Sequence, residues 1–167
     1  TQGAIQVLFK RLWPAKPFRE VATTPTVIAY TFHLGMLIVL LLGTPHILFF
    51  GDIVGFVWPG LPKGVIDVVS ALTLGALVAA LFRRLTHPVR RLLSGPDDYI
   101  SWLITTLPVL TGLMATSSIG GRYETLLALH ILSVALLMAW LPFGKLIHAV
   151  LFVFSRGISG SRYIPRG

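Results

Sequence analysis

Hydrophobic residues fill 54% of the 167 positions and charged residues only 12%, with a mean hydropathy of +0.81. A soluble domain is nearer a quarter charged, so this composition excludes that class and predicts an all-α integral membrane helical bundle. The 14 Lys and Arg against 6 Asp and Glu give a net charge of +8. On a polar domain this would suggest nucleic acid, but here the excess lies in short loops between apolar spans. Orientation in the membrane explains it, and no nucleic-acid partner is expected.

Thr1 to Glu20 mixes apolar residues with Lys10, Arg11, Lys16 and Arg19. Pro14 and Pro17 interrupt any helix there, which predicts a basic interfacial segment or the tail of a preceding helix. A first span is expected over about 25–50, carrying His33 and His46 without a single charge before Asp52. The Gly- and Pro-rich loop that follows places Trp58 where an interfacial aromatic would sit. A second span is expected over about 65–83, with Asp67 near its start. The next loop holds Arg83, Arg84, Arg90 and Arg91 and leads through Asp97 and Asp98 into a third span over about 99–117. A short turn with Arg122 precedes the fourth span, over about 124–150, which carries His130 and His148. The tail, 151–167, is basic and ends in Arg156, Arg162 and Arg166. No repeat or second domain interrupts 1–167, so one membrane domain of four spans is expected.

The basic segments are the N-terminus, the loop between the second and third spans, and the tail. Lys and Arg accumulate on the cytoplasmic side, so both ends are expected in the cytoplasm, in a cell membrane. The absence of cysteine excludes disulfides, covalently attached c-type haem and an iron–sulfur cluster held by this chain's own thiolates. A redox group would have to be held by histidine or methionine. With four antiparallel spans, His33 and His148 fall at one depth near the cytoplasm, and His46 and His130 at another near the opposite face. Two bis-histidine b haems need this arrangement, with axial nitrogens roughly 4 Å apart across each iron.

Buried polar residues inside a membrane are costly and mark function, which weighs against four satisfied packing histidines. On an unbroken fourth helix, 18 residues between His130 and His148 make five whole turns, so both rings share a face about 27 Å apart. The 13 residues from His33 to His46 instead leave those rings some 140° out of phase on a straight helix. Pro45 removes a backbone hydrogen bond just before His46, and a kink there would swing the ring round. His87, in the basic loop, reads as solvated, and Met114 and Met138 as apolar fill.

The segments GPDDY (95–99), RYETLLALH (122–130) and PFGKLIHAVLF (142–152) resemble the membrane cytochrome b of the respiratory nitrate reductase gamma-subunit type. That superfamily includes the membrane cytochromes of heterodisulfide reductase and of sulfite-reductase-associated complexes. The likeness is best over the last seventy residues, and the spacing from His130 to His148 is the one the family uses on its last helix. The family has five spans with ligands on the second and fifth, so the spans here look like two to five, with an N-terminal one expected ahead. Its first ligand pair is about ten residues apart rather than 13, and Gly43 stands at the expected place.

The resemblance implies a quinol-linked electron-transfer subunit of an oxidoreductase complex. His33 and His148 would hold the inner haem iron and His46 and His130 the outer, with Arg83 and Arg84 as candidate propionate contacts. Electrons would pass between a membrane quinol or quinone and a cytoplasmic iron–sulfur subunit. Lys63, Asp67, Arg122, Tyr123 and Glu124 could each exchange a proton with the quinone, or be ordinary interfacial groups. The alternative is a single-haem b anchor of the formate-dehydrogenase kind, which would leave one histidine pair uncoordinated.

Overall fold

A computed structural model describes Pro14 and residues 16–147. Regular structure among these residues is entirely helical. A 3₁₀ turn at Lys16–Phe18 enters α1 (Arg19–Leu42), followed by α2 (Thr44–Val54), α3 (Lys63–Thr86), α4 (Pro88–Leu92), α5 (Pro96–Ser117) and α6 (Tyr123–Trp140). A second 3₁₀ turn covers Lys145–Ile147. Among the described residues four stretches are long and apolar enough to cross a membrane: Lys16–Leu42, Lys63–Thr86, Pro96–Ser117 and Tyr123–Trp140. The protein is therefore an all-α helical bundle, with four candidate membrane spans among the described residues.

Local chemistry sets the helix ends. Pro88 and Pro96 stand in the first turns of α4 and α5, where a missing N–H leaves nothing unpaired. The Asp98 carboxylate accepts the Gly95 backbone N–H at 3.0 Å, satisfying one of the donors exposed at the start of α5. Gly55, just past α2, has φ 83°, a left-handed conformation suited to glycine.

Two boundaries differ from the sequence expectation. The first span starts at Lys16 rather than near 25 and stops at Leu42, while residues 44–54 form a helix of their own. The fourth helix stops at Trp140, not 150, because Leu141–Gly144 turns out of the helix. Pro142 cannot supply the backbone N–H that would bond the Met138 carbonyl. Gly144 lies against Trp140 so closely that a Cβ there would stand 2.5 Å from the indole nitrogen and 3.2 Å from Ser101 Oγ. The premise that one unbroken helix presents His130 and His148 on a common face thus fails. His148 and the tail 151–167 lie outside the described residues.

The spans pack in chain order, α1 on α3, α3 on α5 and α5 on α6. The two ends of this row, α1 and α6, are not packed on one another along their lengths. Small hydroxyl residues supply much of the interior. Ser70, Thr73, Ser101, Thr105, Thr106 and Ser133 are buried, while Leu34, Leu72, Phe82, Leu103 and Leu132 point outward. Such an arrangement suits lipid, where large apolar side chains gain nothing by leaving the acyl chains and close helix approach is favoured. The buried hydroxyls meet their hydrogen-bonding needs locally, as Thr73 to the Val69 carbonyl at 2.7 Å and Thr105 to Ser101 at 2.7 Å show. Between helices, Trp102 Nε1 donates to the Leu77 carbonyl at 2.8 Å and Trp140 Nε1 to Ser101 Oγ at 3.0 Å.

Closest approach of α1 and α3 occurs at Gly35, where a Cβ would overlap Thr73 Oγ1 and stand 3.2 Å from Thr73 Cβ. Thr73 is 1% exposed and has nowhere to move. Gly35→Ala should therefore destabilise the bundle by about 1–3 kcal/mol, lowering the thermal midpoint in detergent. Adding Thr73→Ala to that variant should recover part of the loss, and an unchanged midpoint in the single variant would contradict this packing.

The interruption after Leu42 has a specific cause and a specific repair. Gly43 adopts φ −76°, ψ 123°, and Pro45, two residues on, has no N–H for the carbonyl of Leu41. That carbonyl instead accepts Trp58 Nε1 at 2.6 Å. The next one, on Leu42, accepts the backbone N–H of Leu61 at 2.9 Å. Trp58, expected as an interfacial anchor, is thus also the donor that closes a broken helix end. Trp58→Phe should cost about 1–3 kcal/mol by leaving the Leu41 carbonyl without a donor, measured by thermal unfolding. A variant as stable as the parent would show that water reaches this carbonyl.

Candidate functional site

Three of the four intramembrane histidines fall among the described residues, and each is held in the same way. His33 Nδ1 lies 2.7 Å from the Ala29 carbonyl, His46 Nδ1 2.9 Å from the Val39 carbonyl, and His130 Nδ1 3.1 Å from the Pro108 carbonyl. A carbonyl oxygen only accepts, so in the neutral ring the proton sits on Nδ1 and the lone pair on Nε2. A second group that fixes the tautomer and ring plane is what a metal-ligating imidazole needs.

At the end of the bundle where α1 and α5 finish and α3 and α6 begin, His46 and His130 face each other. Their ring centroids are 6.0 Å apart with the planes inclined at 49°. The break at Gly43 makes this possible: His46, early in α2, folds back to a carbonyl seven residues earlier on α1, which swings its ring toward α6. The helix is thus interrupted between His33 and His46. Its pivot is Gly43, one turn residue before the Thr44-Pro45 start of α2.

Both rings are seated on glycine. A Cβ at Gly43 would stand 2.6 Å from the Val39 carbonyl oxygen and 3.2 Å from His46 Nδ1. One at Gly112, on α5, would stand 3.0 Å from His130 Cε1. Among the described residues Nε2 of His46 and of His130 has no hydrogen-bond partner. Two imidazoles with the lone pair on Nε2 and ring centroids 6.0 Å apart match the spacing of two rings on one iron, since two metal–nitrogen bonds of roughly 2 Å plus the ring radii give about 6 Å. The donor set thus fits a bis-histidine haem. No group of three or more His, Asp or Glu converges among the described residues, so a zinc-type cluster is not what these side chains form.

At the opposite end His33 lines a cavity of about 450 Å³ between α1, α3, the start of α5 and the segment after α6. Arg83, Arg84, Arg90, Trp102 and Lys145 share its wall. Its size falls within the usual range for small-molecule and cofactor sites, about 300–1,000 Å³. Arg84 is tied to Asp98 at 3.1 Å and to Ser94 at 2.9 Å, and Lys145 meets the other oxygen of Asp98 at 2.7 Å. Arg83 Nε is buried with no hydrogen-bond partner, a donor available to an anionic group such as a carboxylate. The chain brings His33, Arg83 and Arg84 to one cavity. His148, the expected partner of His33, lies outside the described residues.

The remaining candidates are paired with each other. Lys63 bonds Asp67 at 2.5 Å and Arg122 meets Glu124 at 3.5 Å, both at the His46 end, and Tyr123 and Met138 are exposed. His87 stands just before the short helix α4, without a side-chain capping bond, and is exposed. The sequence reading missed Pro108, Thr111, Gly112 and Ser133, which surround His130 from α5 and α6. The signal was a proline followed four residues later by a glycine inside a span, where both cost helix stability and so ask for a reason.

A protein of Nitratidesulfovibrio vulgaris (strain Hildenborough), described simply as "Protein", is 34% identical over 174 residues, covering 99% of this chain and 74% of its own length. No family model matches the chain. No solved structure matches it. At this identity and coverage, the chain belongs to the same protein family as that Nitratidesulfovibrio vulgaris relative.

Proposed function

We propose that this chain is the di-haem b membrane subunit of a respiratory oxidoreductase complex, passing electrons between a membrane quinol and a cytoplasmic iron–sulfur subunit. The observation that carries the reading is the His46 and His130 pair, ring centroids 6.0 Å apart, with each Nδ1–H on a carbonyl and each Nε2 without a hydrogen-bond partner among the described residues. A packing histidine needs one hydrogen-bond partner. Two that each spend it on Nδ1 and stand this close with Nε2 unbonded suit a ligand between them. The resemblance of the GPDDY, RYETLLALH and PFGKLIHAVLF segments to the nitrate reductase gamma-subunit type of cytochrome supports the same conclusion.

In this reading haem b, when bound, supplies one-electron redox chemistry at two depths. His46 and His130 hold the outer iron. His33 and His148 hold the inner one, with Arg83 and Arg84 beside the propionates. The basic loop, with Arg84, Arg90 and Arg91, and the tail face the cytoplasm of a cell membrane by the positive-inside rule. Without cysteine this chain holds no thiolate-bound iron–sulfur centre, so electrons at the inner level leave to another subunit. Lys63, Asp67, Arg122 and Glu124 lie at the outer end, where a quinol would give up its protons.

The natively purified chain should contain two b haems, measured as the ratio of haem to protein with a reduced-minus-oxidised spectrum. His130→Ala should remove the outer haem and His148→Ala the inner, with the helices still inserted because insertion follows apolar length. A ratio near zero would end the proposal. A ratio near one would favour the single-haem anchor.

Isolation in mild detergent at low salt should copurify an iron–sulfur subunit through the basic cytoplasmic face, in a salt-dependent manner. A chain that reduced a terminal acceptor alone would contradict this.

A further inference from the structure

The helix α5 carries no histidine, yet it forms much of the seat of His130. Besides the Pro108 carbonyl at 3.1 Å, the Nδ1 of His130 has Thr111 Oγ1 at 3.3 Å. Thr111 cannot spend its own proton on the ring, because that proton is directed at the Leu107 carbonyl, 2.7 Å away. Its oxygen is thus turned to the imidazole as an acceptor. Ser133, one turn along α6 from His130, lies 3.1 Å from the same oxygen and bonds the His130 carbonyl at 2.7 Å. With both hydroxyl protons on backbone carbonyls, the approach of Ser133 is a packing contact, and the Thr111 oxygen is held by its own helix through the Leu107 bond.

A threonine inside a span is ordinarily explained by its bond to the carbonyl one turn back. Thr105 and Thr106 on the same helix do this, at 2.7 and 2.8 Å. The Leu107 bond of Thr111 fits that pattern, but its approach to the ring lies outside it. Gly112, the next residue, lets the ring come down on bare backbone, so the contact between α5 and the imidazole is made by neighbouring residues.

We propose that Thr111 is a positioning residue for His130, sharing its Nδ1–H with the Pro108 carbonyl so that the ring is held in one orientation and Nε2 is left for a metal with raised basicity. The inference rests on the haem reading above and assigns to α5 a part in setting the outer site. An acceptor on the far nitrogen makes an imidazole a stronger donor to a metal, and a stronger donor favours ferric over ferrous iron. His46 has a single carbonyl acceptor on its Nδ1, so the two axial ligands of the outer level are tuned unequally.

Thr111→Val keeps the shape and removes the oxygen, and Thr111→Ser keeps the oxygen. Both are made in the full chain, and the two haems are titrated potentiometrically by optical spectrum, with electron paramagnetic resonance of the oxidised form. The Val variant should raise the midpoint potential of the outer haem and change its resonance while leaving the inner haem unmoved, and the Ser variant should behave as the parent. Loss of the outer haem from Val but not from Ser supports the same role. Equal behaviour of the two variants, whether both unchanged or both altered, overturns it. Absence of haem from the unmutated chain would remove the functional reading itself, whereas two haems indifferent to Thr111→Val would remove only this inference.

Discussion

In a membrane a backbone carbonyl that loses its helical partner has no water to turn to, and each such group left unpaired costs several kcal/mol. The interruption between Leu42 and Thr44 strands the last carbonyls of α1, and the architecture at that end of the bundle follows from how they are satisfied. Trp58 takes Leu41, Leu61 takes Leu42, and the His46 ring joins the Gly43 N–H on Val39. The loop from α2 to α3 is therefore held against the end of α1 by hydrogen bonds. The orientation of His46 comes from the same repair, so the helix break and the ring placement are one feature.

The interior complements this. Because Gly35, Thr73, Thr105 and Thr106 bring the helices close without bulk, the row α1, α3, α5, α6 can be tight between neighbours while its two ends stay apart. Every histidine described within a span lies on one of those end elements, α1 with its continuation α2, or α6. The helices between them bear no histidine and supply packing surface, arginines and acceptors. Scaffold and candidate ligands thus belong to different helices, and the Thr111–His130 contact is where the two meet.

Much of this was legible in the chain. Spans two and three are recognisable because uncharged apolar runs end in charges and prolines close to where the helices end. The charge-free run was expected to open a span near 25, yet the helix α1 begins at Arg19 and carries Pro25 inside it. The end of the fourth span was misplaced because hydropathy does not register a turn: Leu141–Gly144 is apolar on both sides and breaks on Pro142 alone. That His46 and His130 share a depth follows from span order and length. The seat of His130 could not be read, since Pro108 and Thr111 lie 22 and 19 residues away along the chain on a helix whose rotation no local pattern records.

The pivot at Gly43 has a mechanical consequence as well. His33 rides on α1 and His46 on α2, so a roll of α1 about its own axis, such as a lateral force from lipid or a neighbouring subunit would exert, moves the first ring with its helix and meets the second at the bent joint and at the Val39 carbonyl that holds its Nδ1. On a single straight rod both rings would rotate together. The two levels therefore answer to α1 by different routes, His33 through the helix itself and His46 through one glycine and one hydrogen bond.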